Sequence, residues 1–169
     1  MAGRVRAFVG VGANLGDAAA TVRVALHSLG RLPDTQCVAS SSLYRSAPVD
    51  AAGPDFINAV AELHTALPAL ALLRELQAIE HDFGRVRSMR NAPRTLDLDL
   101  LLQGDLQMQG DVLTLPHPRL HLRAFVLLPL AELDPALTLP GLGPLEPWLR
   151  RAADQVIERL TAPPATAPP

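Results

Sequence analysis

No lysine occurs in this 169-residue chain, so all 15 of its basic side chains are arginines. That absence excludes the phosphate-binding lysine of a Walker A loop, and leaves arginine, main-chain amides or metal for any phosphate chemistry. A single cysteine, Cys37, rules out an intramolecular disulfide. No apolar run approaches the roughly eighteen residues of a membrane span, and no charged segment leading into an apolar one opens the chain, so a cytoplasmic protein without membrane contact is expected. Aromatics are few, with one tryptophan, one tyrosine and four phenylalanines. That is poor equipment for stacking on single-stranded nucleic acid, and a formal net charge of −2 argues in the same direction. Gly10-Val11-Gly12 lacks both the third glycine and the acidic partner of a dinucleotide-binding loop, so it reads as a turn.

What the chain does have is concentrated in Pro93-Arg94-Thr95-Leu96-Asp97-Leu98-Asp99-Leu100-Leu101-Leu102, which reads as a strand with two carboxylates in an apolar run. Period-two alternation puts Asp97 and Asp99 on one face with Thr95 and Leu101, and Leu96, Leu98, Leu100 and Leu102 on the other. Two like charges about 7 Å apart repel unless cations neutralise them, which points to a divalent-metal platform. Arg85, Arg87, Arg90 and Arg94 crowd the stretch just ahead of the pair. Cation cluster and anion pair are therefore neighbours, with Arg85 to Pro93 expected as a charged loop that closes over ligands.

In chain order, the pattern predicts a strand over Val5–Ala13, a turn through Gly16, and a helix from an Asp17 cap to Gly30. A long strand over Thr35–Val49 and a returning strand over Phe56–Leu63 follow, the second carrying Asn58 among apolar neighbours. A helix runs from Pro68 to Gly84; its Glu80, read alone, is a solvated surface acid. After the Asp97/Asp99 strand come short turn-bounded pieces, His117 between two prolines, an apolar helix opening at Arg123, and an amphipathic helix over Leu145–Leu160. The order strand, helix, strand, strand, helix, strand defines an α+β protein of ferredoxin-like βαββαβ type, with a mainly antiparallel sheet and helices packed on one face. One domain over residues 1–160 is expected, long enough to bury about two-thirds of its unfolded surface. Residues 161–169, rich in Pro, Ala and Thr, are expected to form a disordered tail.

Six ordered motifs carry a resemblance: Val11-Gly12-Ala13-Asn14-Leu15-Gly16, Ser42 to Pro48, Phe56-Ile57-Asn58-Ala59, Gly84-Arg85-Val86-Arg87, Pro93 to Asp99, and Pro116-His117. Over roughly Val5 to Pro135 the chain resembles the hydroxymethyl-dihydropterin pyrophosphokinases of folate biosynthesis. The resemblance implies transfer of pyrophosphate from ATP to 6-hydroxymethyl-7,8-dihydropterin, releasing AMP, with two Mg²⁺ ions held by Asp97 and Asp99. Arg85 and Arg94 would be catalytic phosphate contacts, with Arg123 assisting. His117 would touch the nucleotide phosphates, Glu80 would support the nucleotide side, and Leu100 and Thr114 would lie near the adenine or ribose. The pterin would stack between Phe56 and Phe125 and meet Asn58 and the Ser46, Ala47 and Val49 main chain, with Asp97 a candidate proton acceptor. A monomer is expected. Asn91-Ala92 stands where the family often has Trp-Gly, and Phe56 where a tyrosine is common. Two other readings of the same features are an RNA-recognition module, from the element order, and a different metal-dependent nucleotidyltransferase, from the acid pair.

Overall fold

The computed structural model describes residues 3–48, 53–87 and 96–160, with residues 85–87 described by their main chain. Strand β1 (Val5–Ala13) is an interior strand of the sheet, paired antiparallel with β4 (Phe56–Thr65) on one side and the edge strand β5 (Asp97–Gln103) on the other. Beyond β4 lie β2 (Thr35–Ser40) and β3 (Tyr44–Ser46), both paired with it. Helix α1 (Ala18–Leu29) follows β1 and α2 (Ala69–Arg87) follows β4, completing the expected ferredoxin-like order. Asp17 caps α1 as expected, its carboxylate accepting the Ala20 N–H at 3.1 Å.

The alternation of β1 sends Ala7, Val9, Val11 and Ala13 to one face and Phe8, Gly10 and Gly12 to the other. The first face is buried under Val22, Ala25 and Leu29 of α1 and Leu72 and Leu76 of α2, together with Leu96, Leu98 and Leu100. Helices cover the second face as well, which corrects the one-faced expectation. Helix α3 (Ala124–Leu133) and helix α4 (Leu145–Arg151) pack Leu127, Leu130 and Leu145 over Phe8, Val60, Leu101 and Leu102. Leu102 thus joins the opposite face from the one simple alternation gives it. The register steps from Val9↔Leu100 to Phe8↔Leu102, so Leu101 is an extra residue in β5 and a bulge turns the strand end over.

Four other boundaries differ from the sequence pattern. Gly10 and Gly12 belong to β1 and not to the turn after it. The long strand over Thr35–Val49 is broken at Ser41 and Ser42. There the Ser41 hydroxyl accepts the Val60 N–H, and the Ser42 N–H and hydroxyl are drawn off to Glu132 of α3. Helix α2 continues past Gly84 to Arg87, so the charged connection is shorter than predicted. The helix expected over 145–160 stops at Arg151, and the chain returns as β10 (Ile157–Arg159), which pairs antiparallel with β3 and covers its otherwise open edge. Between β5 and α3 a small hairpin, β6 (Met108–Gln109) with β7 (Thr114–Leu115), fulfils the predicted short pieces. A second hairpin, β8 (Thr138–Leu139) with β9 (Gly143–Pro144), precedes α4.

Candidate active site

The second face of the sheet is only partly covered, and the reason lies in four residues. Where β1 carries Gly10 and Gly12, and β5 carries Asp97 and Asp99 opposite them, no apolar side chain is available to hold α3 or α4 down. A cavity of about 910 Å³ opens there. Registers place Asp97, Gly12, Asn58 and Tyr44 in one row across four strands, so the carboxylate and the amide share a face with a glycine between them. Gly12 is required by that geometry: a Cβ there would stand 2.9 Å from Asn58 Oδ1. Gly10 lies beneath the Leu101 side chain, the nearest atoms being 3.6 Å from where its Cβ would be.

On one side of this floor stand the expected acceptor-binding residues. Asn58 is buried and donates through Nδ2 to Ser46 Oγ at 3.1 Å. Ser46 is paired with Phe56 across β3 and β4, and Ala47 follows on the same wall. Phe125, at the start of α3, closes the cavity from above, with the Arg123 guanidinium 5.3 Å from its ring centroid. Val49 lies outside the described residues.

The opposite side carries charge. Asp97 is half-buried and Asp99 exposed, and both line the cavity with Arg119 and Arg123. Among the described residues no group of three or more His, Cys, Asp or Glu side chains forms a metal cage. Two carboxylates facing an open cavity suit Mg²⁺, which takes one or two carboxylates and completes its shell with water and phosphate oxygens, better than Zn²⁺. His117 flanks this side. Its N–H donates to the Leu101 carbonyl at 2.9 Å, and its Nδ1 accepts the Arg119 N–H at 3.1 Å, which leaves Nε2 to carry the proton of the neutral ring. Burial pushes the imidazole below its ordinary value; Asp99 opposes that shift, and Arg123 and Arg119 add to it.

The remaining nucleotide-side expectations are dispersed. Thr114 and His117 line a separate cavity of about 580 Å³ between the β6–β7 hairpin and the loop at Pro140–Leu142. Leu100 is buried in the helix-covered core, so only its main chain could meet a ligand. Glu80 is half-buried and accepts the Leu98 N–H at 2.7 Å, tying α2 to β5 and correcting its reading as a solvated acid. Arg94 lies outside the described residues, as does the side chain of Arg85.

Sequence reasoning missed several lining residues. Arg119 sits two positions after His117 in the same proline-bounded loop, and that proximity was a usable signal. Gln155, Val156 and Ile157 also line the cavity. They arrive from β10 and the turn that leads into it, which the helical pattern of 145–160 concealed, and nothing local marks them.

Fold and site together define an α+β protein with an acid-and-arginine cleft on its sheet, a class suited to phosphoryl transfer. Comparison narrows that class. Residues 8–135 match the family described as 7,8-dihydro-6-hydroxymethylpterin-pyrophosphokinase (HPPK), and the chain belongs to that family. It is 46% identical over 156 residues to the 2-amino-4-hydroxy-6-hydroxymethyldihydropteridine pyrophosphokinase of Pseudomonas aeruginosa, covering 92% of this chain and 96% of that one. The Haemophilus influenzae protein of the same name is 40% identical over 157 residues, covering 92% and 98%. Among solved structures, an HPPK-DHPS in complex with substrates superposes with a TM-score of 0.71 at 13% identity, over 88% of this chain and 43% of that one. The wild-type Plasmodium falciparum HPPK-DHPS with pterin and p-hydroxybenzoate gives 0.69 at 13% identity, over 88% and 43%. At that identity the two structures speak for the fold. Among the described residues no helix is long and apolar enough to cross a membrane.

Proposed function

We propose that this chain catalyses pyrophosphoryl transfer from ATP to 6-hydroxymethyl-7,8-dihydropterin in folate synthesis, with the two substrates meeting in the cavity over Gly10 and Gly12. The observation that carries the reading is that one cavity gathers the Asp97/Asp99 pair, Arg123, and the Phe56, Asn58 and Phe125 group. Family membership and the names of the relatives support the same activity.

Asp97 and Asp99 would hold two Mg²⁺ ions. Bound there, the metal would neutralise triphosphate charge and polarise the phosphoryl oxygens. Arg85, Arg94 and Arg123 would grip phosphate oxygens through guanidinium forks that stay charged at any working pH. His117 would donate from Nε2 to the nucleotide phosphates, and Thr114 and the Leu100 main chain would meet the nucleoside end. Glu80 acts by holding β5 in place through Leu98. The pterin would lie between Phe56 and Phe125, where Asn58 and the main chain of Ser46 and Ala47, with that of Val49 as implied by the family resemblance, would supply the hydrogen bonds its ring edge requires. Attack by the pterin hydroxymethyl oxygen on the β-phosphorus forms the new P–O bond as the bond to AMP breaks, and Asp97 is the candidate to receive the hydroxyl proton. Catalysis then consists of alignment and charge stabilisation. We place the enzyme in the cytoplasm as a monomer with a single domain over 1–160; the tail expected over 161–169 lies outside the described residues.

The test is an assay containing ATP, Mg²⁺ and the pterin in which AMP is measured. AMP formed in step with pterin pyrophosphate is the expected outcome. Release of inorganic pyrophosphate would indicate nucleotidyl transfer instead, and RNA binding without turnover would indicate the recognition module.

A further inference from the structure

The family match ends at residue 135, yet the cavity is completed by Gln155, Val156 and Ile157 from the far end of the chain. Gln155 occupies the turn between α4 and β10, its own N–H bonded to the Ala152 carbonyl. Its side chain is exposed but tied at both ends. Oε1 accepts the Ala124 N–H at 2.9 Å, and Nε2 donates to the Leu122 carbonyl at 2.8 Å. Those two main-chain groups flank one residue, Arg123.

Ala124 N–H can only donate and Leu122 C=O can only accept, so a single amide orientation meets both, and no other common side chain of this length supplies one donor and one acceptor side by side. Arg123 stands at the N-terminus of α3 with an extended backbone, φ −120° and ψ 117°, and its own side chain makes no capping hydrogen bond. The first N–H groups of a helix have no intrahelical partner, so the Ala124 N–H would otherwise rely on water. Gln155 takes over that role from 31 residues away. In doing so it fixes the peptide planes on both sides of Arg123, and hence the direction of the guanidinium that lies over Phe125.

We propose that Gln155 is a positioning residue that sets Arg123, and through it Phe125, for the reaction, making the C-terminal turn part of the working site. This inference rests on the pyrophosphokinase reading above. Gln155→Met keeps the length of the side chain and removes both hydrogen bonds; Gln155→Glu keeps the acceptor and loses the donor. With the full-length chain, kcat and KM for ATP and for the pterin are measured beside thermal unfolding. Gln155→Met is expected to lower kcat/KM for the pterin about fivefold, the equivalent of roughly one hydrogen bond, in a chain that still unfolds cooperatively well above the assay temperature, and Gln155→Glu is expected to follow it. Because Gln155 acts through Arg123, adding Gln155→Met to Arg123→Ala should produce no further loss. Wild-type kcat/KM in both Gln155 variants would overturn the proposal, as would a full additional fivefold loss in the Arg123→Ala background. A wild-type chain that forms no AMP would overturn the pyrophosphokinase reading first, so the two failures are distinguishable.

Discussion

Gly12→Ala tests whether the cavity floor is built as described, because the strain it introduces falls on one functional atom. The added Cβ would lie 2.9 Å from Asn58 Oδ1, while the next nearest atoms are at 3.9 Å. Asn58 alone must therefore move. Turning its amide away breaks the Nδ2 hydrogen bond to Ser46 and leaves a buried polar group poorly satisfied, a cost of about 1–3 kcal/mol. Replacing glycine restricts the unfolded chain and returns about 0.4–1 kcal/mol, so a net loss of about 1–2 kcal/mol in urea unfolding is expected. The functional effect should be larger and directional. With Asn58 displaced, the pterin KM should rise about tenfold, the worth of one well-placed hydrogen bond to a buried ligand, while the ATP KM stays within about twofold of wild type. Combining Gly12→Ala with Asn58→Ala removes the atom that is struck, so the double variant should bind pterin no worse than Asn58→Ala alone. Gly12→Ala with a wild-type pterin KM, or additive losses in the double variant, would refute the placement of Asn58 against this glycine.

Other consequences follow from single contacts. Asp97→Ala or Asp99→Ala should abolish Mg²⁺-dependent AMP formation while the circular dichroism of the folded chain is retained; near-wild-type turnover in either would sink the metal assignment. Glu132 is opposed by burial, yet hydrogen bonds from Tyr44 and Ser42 and the charge of Arg159 hold its carboxyl below the ordinary 4.5. A depressed carboxyl pKa contributes stability above pH 4.5 that is lost as pH falls through the folded-state value, so Glu132→Gln should flatten the acid limb of a stability–pH curve and leave its neutral slope unchanged. Glu80→Ala removes the acceptor for the Leu98 N–H and should lower stability by about 1–2 kcal/mol in urea unfolding, whereas Glu80→Gln, which retains an acceptor oxygen, should lose less than half of that.

The element order was legible because helical and strand periodicities are local properties of the chain. Asp97 and Asp99 could be assigned to one face from alternation alone, and Asp17 could be read as a helix cap from residue type and position. Where the reading failed, a distant partner had overridden the local pattern. The strand over Thr35–Val49 breaks because Glu132, some ninety residues away, captures Ser42. Leu102 changes face because β1 sets a register that leaves Leu101 unpaired. The amphipathic pattern of 145–160 gives way because β3 offers an open edge to Ile157–Arg159.

By itself, then, the sequence determined the family, the βαββαβ order, and a carboxylate strand preceded by arginines, since each is written in contiguous residues or in their spacing. The tertiary structure alone decided that Gly10 and Gly12 are a cavity floor and not a turn, that Glu80 anchors a strand, and that Gln155 reaches back to hold Arg123. These depend on which strands become neighbours and on close approaches between residues far apart in the chain, and no local periodicity encodes such contacts.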